Sequence, residues 1–156
     1  MPARLDPESF GFLINDITRL NRAEFDRRTS EAGLGLTPGD GRTLAYAART
    51  GTVRQNVLAE RLGVEAMTLS TSLDRLETRG LVLRQPDPAD RRAKLVQLTA
   101  AGEEVLARIQ PVSAGLRKEV SAGIDAADWE RLMQMLKQVR TNLQSIRADQ
   151  RRDAAA

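Results

Sequence analysis

Apolar residues recur at spacings of three and four along most of this chain. From Pro7 to about Ala32 they are Phe10, Leu13, Ile14, Ile17, Leu20 and Phe25, which predicts a helix. The stretch EAGLGL (residues 31–36) breaks it with two glycines. A second helix is expected from Thr37 to about Arg49, ending at Gly51. Thr37 suits the N-cap, Pro38 the first turn, and Asp40 stands where a capping box takes an acid. VRQNVLAERLGV predicts a short helix ending at Gly63, and EAMTLSTSLDRLETRG another ending at Gly80. Two helices joined by a tight glycine-containing turn form a helix-turn-helix candidate. Leu58, Leu62, Leu69, Leu73 and Leu76 can share one small core. Met67, Thr68, Ser70, Thr71 and Arg75 are then left toward the outer faces.

The periodicity then changes. LVLR and AKLVQL read as short strands on either side of the polar run RQPDPADRRAKL, Arg84 to Leu95. Pro86 and Pro88 keep the connection out of a helix or a central strand, so a hairpin with a long polar tip is expected. Thr99 opens another helix with apolar positions Val105, Leu106, Ile109, Val112, Leu116 and Val120, in which Pro111 should introduce a kink or mark a register shift. Asp125 caps a last helix. Its Leu132, Leu136, Val139, Leu143 and Ile146 form a heptad-like seam suited to docking on another helix, of this chain or of a second copy. The end, RADQRRDAAA, reads as a frayed tail. The order α-α-α-α-β-β-α-α gives a mainly α fold with a small β-hairpin: a winged helix-turn-helix with helices on both sides.

Composition narrows the function. The chain has 156 residues, neither cysteine nor histidine, and a net charge of +3. Disulfides, thiolate nucleophiles and cysteine metal sites are excluded, and the usual general base is missing. Glu103, Glu104 and Glu119 lie on a helix surface and form no paired-carboxylate site. No enzyme, cofactor or metal site is therefore expected. A modest positive charge is compatible with a nucleic-acid partner. Aromatics at 3% argue against a base-stacking platform for single strands. No apolar run approaches ~18 residues and the start lacks a signal-peptide core, so a soluble, cytoplasmic protein is expected, with no membrane partner.

These features together resemble the MarR family of regulators. LTPGDGRTLAYAA is similar to the family's second helix, NVLAERLGV to its first helix-turn-helix element, and LDRLETRGLVLR to the end of its recognition helix and first wing strand. PDPADRRAKLVQLTAAG is similar to the family wing and the start of the next helix. The likeness runs from about Leu13 to Leu143 and looks nearest to the SlyA-like branch. It implies dimerisation helices in residues 1–36 and 99–148, a DNA-binding lobe in 37–98 and a flexible tail in 149–156. It also implies a homodimer, commonly a repressor, on a palindromic double-stranded operator. A small phenolic or other aromatic effector would sit between the dimer helices and that lobe.

Carried over by position, the resemblance places Met67, Thr68 and Thr71 at base edges, with Ser70 nearby. Arg75 and Arg84 take phosphates. Arg92 enters the minor groove, Arg91 and Lys94 meet the backbone, and Asp90 braces a wing arginine. A ligand pocket would involve Leu13, Ile17, Gly41 and Ala45. Two departures stand out. Thr71 occupies a position where many relatives carry arginine, which weakens guanine reading and predicts an A/T-leaning operator. Gly41 stands where relatives often have tryptophan, which should open space beside the pocket. The competing reading is a ligand-responsive dimer that acts through protein contacts without binding DNA.

Overall fold

The computed structural model describes residues 6–153. Its elements run α1 (Phe10–Glu31), α2 (Asp40–Thr50), β1 (Val53–Arg54), α3 (Gln55–Leu62), α4 (Ala66–Thr78), β2 (Val82–Asp87), β3 (Asp90–Leu98), α5 (Ala100–Val120) and α6 (Ala126–Asp153). This is the expected mainly α winged-helix order with one short strand added. One compact unit ends at Leu116 and a second begins at Arg117.

The leucines expected to share a core do so. Leu58, Leu62, Leu69, Leu73 and Leu76 are buried together with Leu44, Val82, Val96 and Ile109. Full burial of such side chains contributes roughly 1.5–3 kcal/mol each and fixes α4 on α2 and α3.

The added strand lies within the segment expected to be helical. Val53 and Arg54 pair antiparallel with Val96 and Leu95, giving the sheet order β1-β3-β2. Two residues carry no alternation to read, and the pairing is set by burial of Val53 against the sheet.

The wing tip is much shorter than expected. β2 continues past Pro86, and only Pro88 and Ala89 separate it from β3. Pro86 is tolerated because β2 is an edge strand. The register jumps from Pro86↔Lys94 to Asp87↔Asp90. The jump gives β3 extra residues, Arg91, Arg92 and Ala93, without counterparts on β2, as in a bulge.

The start of α2 also differs. The helix begins at Asp40, after a left-handed Gly39 (φ 90°). Half of the capping box survives, because the Asp40 carboxylate accepts the Thr37 N–H at 3.2 Å and the Thr37 hydroxyl. Thr37 sends its hydroxyl to that carboxylate and caps no helical N–H, so it is not the N-cap.

Thr99 caps α5 as expected. Its Oγ1 accepts the Gly102 N–H at 3.1 Å and donates to the Gly80 carbonyl at 2.6 Å. Gly102 is required by close approach: a Cβ there would stand 2.1 Å from the Leu81 carbonyl oxygen. α5 runs through Pro111. Asp125 caps α6, its Oδ1 accepting the Ala127 N–H at 2.8 Å. Residues 149–153, expected in a flexible tail, extend α6; residues 154–156 lie outside the described residues.

Candidate nucleic-acid interface

The recognition helix α4 is held from behind by one buried acid. Asp40 is 2% exposed. It accepts hydrogen bonds from Ser72 Oγ at 2.6 Å and from Arg75 Nη2 at 2.7 Å and Nε at 3.3 Å. The Ser72 oxygen also lies 3.3 Å from the Thr43 hydroxyl. Burial pushes the Asp40 carboxyl up, but the bonds from Arg75, Ser72 and Thr37 outweigh it and leave the pKa below the ordinary 3.8. Asp40 therefore stays charged and fixes both α4 side chains. The Arg75 side chain is still 42% exposed. Its Nη1 makes no hydrogen bond to the described residues.

The outward face of α4 presents Met67, 78% exposed, with Thr68 and Thr71 exposed and Ser70 half-buried. Met67 is surface, not core. Thr71 Oγ1 donates to the Met67 carbonyl at 3.0 Å, so its hydroxyl faces outward mainly as an acceptor.

The wing arginines fall into two sets. Arg84, expected to meet phosphate, is only 12% exposed, and its Nη2 lies 2.6 Å from Asp74 and 2.5 Å from Glu77. Two carboxylates hold its Nε and Nη2, which makes it a mostly covered brace between α4 and β2 rather than an exposed phosphate ligand. The same contact lowers the Glu77 pKa. Arg91, Arg92 and Lys94, in contrast, are exposed and carry no ion pair to the described residues.

Among the described residues Asp90 braces no guanidinium. Its Oδ1 accepts the Arg92 backbone N–H at 3.1 Å and so shapes the bulge. The brace is Asp87, which pairs with Arg54 of β1 at 2.5 Å and accepts the Ala89 N–H at 2.9 Å. The Ala89 bond, ahead of Arg54, holds the Asp87 carboxyl below its usual value despite burial.

Nothing in the sequence marks Arg54, Asp74, Glu77, Asp87 or Ser72 as site residues, and Asp40 stands out only as a capping acid. Opposite charges recur along the chain, but the pairs lie in different elements, so no spacing rule joins them. Only the Thr37–Asp40 capping pattern offered a signal.

A cleft of about 390 Å³ lies beside α1, α2 and α3, lined by Ile17, Asn21, Arg22, Phe25, Arg42 and Tyr46 among others. Of the expected pocket residues, Ile17 and Ala45 line it, while Leu13 and Gly41 do not. Gly41 opens no space. A Cβ there would be 2.8 Å from Thr29 Cγ2 and 3.6 Å from Phe25 Cε1, because α1 packs directly onto α2.

A MarR family model matches residues 34–93, which hold the helix-turn-helix and most of the wing. The transcriptional regulator PA3341 is 36% identical; the match covers 88% of this chain and 99% of that one, with a TM-score of 0.72. This chain belongs to the MarR family. A cysteine-to-serine mutant of E. coli MarR, solved in complex with operator DNA, is 27% identical over 88% of this chain and 99% of that one, at a TM-score of 0.68. The regulator SlyA shares the fold at 24% identity and a TM-score of 0.69, covering 83% of this chain and 90% of that one. The protein is thus a MarR-family transcription regulator with a winged-helix fold. No helix among the described residues is long and apolar enough to cross a membrane.

Proposed function

We propose that this MarR-family protein is a cytoplasmic homodimeric repressor that binds a palindromic site in double-stranded DNA. The observation that carries the reading is the sorting of cations in the lobe. Arg54, Arg75 and Arg84 are anchored by carboxylates, while Arg91, Arg92 and Lys94 are exposed on the bulged strand β3 with no ion pair to the described residues. Arg92 enters the minor groove; Arg91, Lys94 and the free Nη1 of Arg75 take phosphates. Met67, Thr68, Ser70 and Thr71 meet base edges, with the Met67 and Thr68 methyls suited to thymine. The operator is A/T-leaning.

Dimerisation is supported by apolar side chains left exposed on two helices: Phe10, Leu13, Ile17 and Leu20 on α1, and Leu143 and Ile146 on α6. A dimer places two α4 helices on half-sites with centres about one helical turn, ~34 Å, apart. The cleft beside α1 and α2 takes a small aromatic effector. The alternative, a dimer acting without DNA, leaves the unpaired wing cations without a role.

Selection of bound duplexes from a random pool tests the reading. A palindromic, A/T-leaning consensus is expected, with affinity falling steeply as salt rises because each phosphate contact releases counterions. Recovery of no enriched duplex at low salt overturns it.

A further inference from the structure

The first turn of α2 is gripped from two sides. On one side, Asp26 of α1 accepts the Gly39 N–H at 3.3 Å and the Arg42 Nε–H at 3.0 Å, both on Oδ1. Both members of the ion pair are largely covered, at 18% and 22% side-chain exposure. On the other side, Asp40 holds Ser72 and Arg75 of α4. Gly39 and Asp40 are adjacent, so the two carboxylates act on one short piece of backbone. Gly39 sits at φ 90°, a conformation that exposes its N–H to Asp26 at no steric cost.

We propose that Asp26 is a positioning residue for DNA recognition: by clasping Gly39 and Arg42 it fixes where Asp40 stands, and through Asp40 it sets the pose of Arg75. Among the described residues Asp26 itself makes no hydrogen bond or ion pair to α4. Its effect on DNA therefore passes through α2. Arg42 also lines the cleft, so one guanidinium faces both the clasp and that cavity. The inference rests on the DNA-binding reading above.

The test is a double-mutant cycle on the full-length protein, read as affinity for a duplex selected by the unaltered protein. Asp26→Ala removes the acceptor of both bonds and should weaken binding about tenfold, and Asp26→Asn, which keeps an acceptor for Gly39, should recover part of the loss. In an Arg75→Gln background the loss from Asp26→Ala should shrink to about twofold or less, because the residue it positions is gone. An undiminished loss in that background overturns the inference, because Asp26 then acts on binding independently of Arg75. Full affinity of Asp26→Ala overturns it as well. Thermal unfolding of each variant identifies any that fails to fold; Asp26→Asn, with a smaller loss that also vanishes in the Arg75→Gln background, then carries the test. If the unaltered protein selects no duplex, or if Arg75→Gln and Arg92→Ala both bind like it, the proposed DNA interface itself fails and takes this inference with it. If those two weaken binding and Asp26→Ala does not, only the inference fails.

Discussion

The Arg75 guanidinium on α4 donates through two of its nitrogens to the carboxylate of Asp40, a buried residue at the first turn of α2. A cation that would otherwise sweep the surface is thereby fixed with one edge outward. The pair ties the recognition helix to the scaffold and orders a contact side chain before any partner arrives, which reduces the entropy lost on binding.

Asp40→Ala should therefore cost stability. It leaves the Ser72 hydroxyl buried with only the 3.3 Å contact to Thr43, and it strands the Arg75 charge, although Arg75 can turn to water. A loss of about 2–3 kcal/mol is expected by urea denaturation. The pH dependence has a definite sign. The folded pKa of Asp40 lies below its unfolded value, so its contribution is whole above the ordinary 3.8 and is lost as the pH falls through the lower folded value. The gap between the unaltered protein and Asp40→Ala should narrow only in that acid range. A gap that narrows instead between pH 5 and 7 would contradict the assignment.

Gly102→Ala should destabilise the lobe by roughly 2–3 kcal/mol, the usual cost of forcing atoms into a filled space. The added Cβ meets backbone, the Leu81 carbonyl oxygen, which has no rotamer to yield. Displacing it also strains the Thr99 N–H bond to that oxygen. Denaturation midpoints check this, and an unchanged midpoint would mean that α5 does not start against the α4–β2 turn.

Arg92→Ala and Arg84→Ala should behave differently, although both arginines lie in the same hairpin. Arg92 has no ion pair to the described residues, so its removal should leave the unfolding midpoint unchanged and weaken DNA binding more than tenfold. Arg91→Ala should lower the slope of log affinity against log salt by ~0.9, one phosphate contact fewer. Arg84→Ala strands Asp74 and Glu77 and should lower the midpoint. Equal midpoints for the Arg92 and Arg84 variants would refute the division of the wing into braced and free cations.

The leucine core, the helix order and the presence of a wing were legible because each repeats a periodic signal over many residues. The wing's interior was not. RQPDPADRRAKL reads as a long loop because its prolines and charges look incompatible with strands, yet an edge position accepts Pro86 and the bulge absorbs Arg91–Ala93. The brace is Asp87 and not Asp90, and choosing between two aspartates three residues apart requires knowing that Arg54 lies on β1, across β3 from the strand that carries Asp87. Gly41 was misread for a related reason: a missing side chain suggests a void only if the facing helix stays away, and Thr29 fills the place.

Asp87→Ala should loosen the wing without unfolding the lobe. The substitution removes the acceptor for the Ala89 N–H and the partner of Arg54, both at the edge of the sheet. Amide exchange should quicken at Ala89 and Arg91–Lys94 while the buried α4 amides stay protected. Operator affinity should fall, because a mobile tip must be ordered on binding. Unchanged exchange at the tip would show that the bulge holds without its brace.

Leu20 on α1 and Ile146 on α6 are 58% and 53% exposed, and each belongs to a run of apolar side chains facing outward. If a second copy covers those runs, a charge placed in either should split the pair, because a carboxylate buried without a partner is strongly disfavoured. Leu20→Glu and Ile146→Glu should each shift the protein toward monomer in sedimentation equilibrium and weaken binding to a palindromic duplex. The unaltered protein should unfold at a midpoint that rises with concentration, as mass action requires of a dimer, and the variants should lose that dependence. A monomeric unaltered protein, or variants that dimerise as tightly as it does, would refute the assignment of these faces to the dimer.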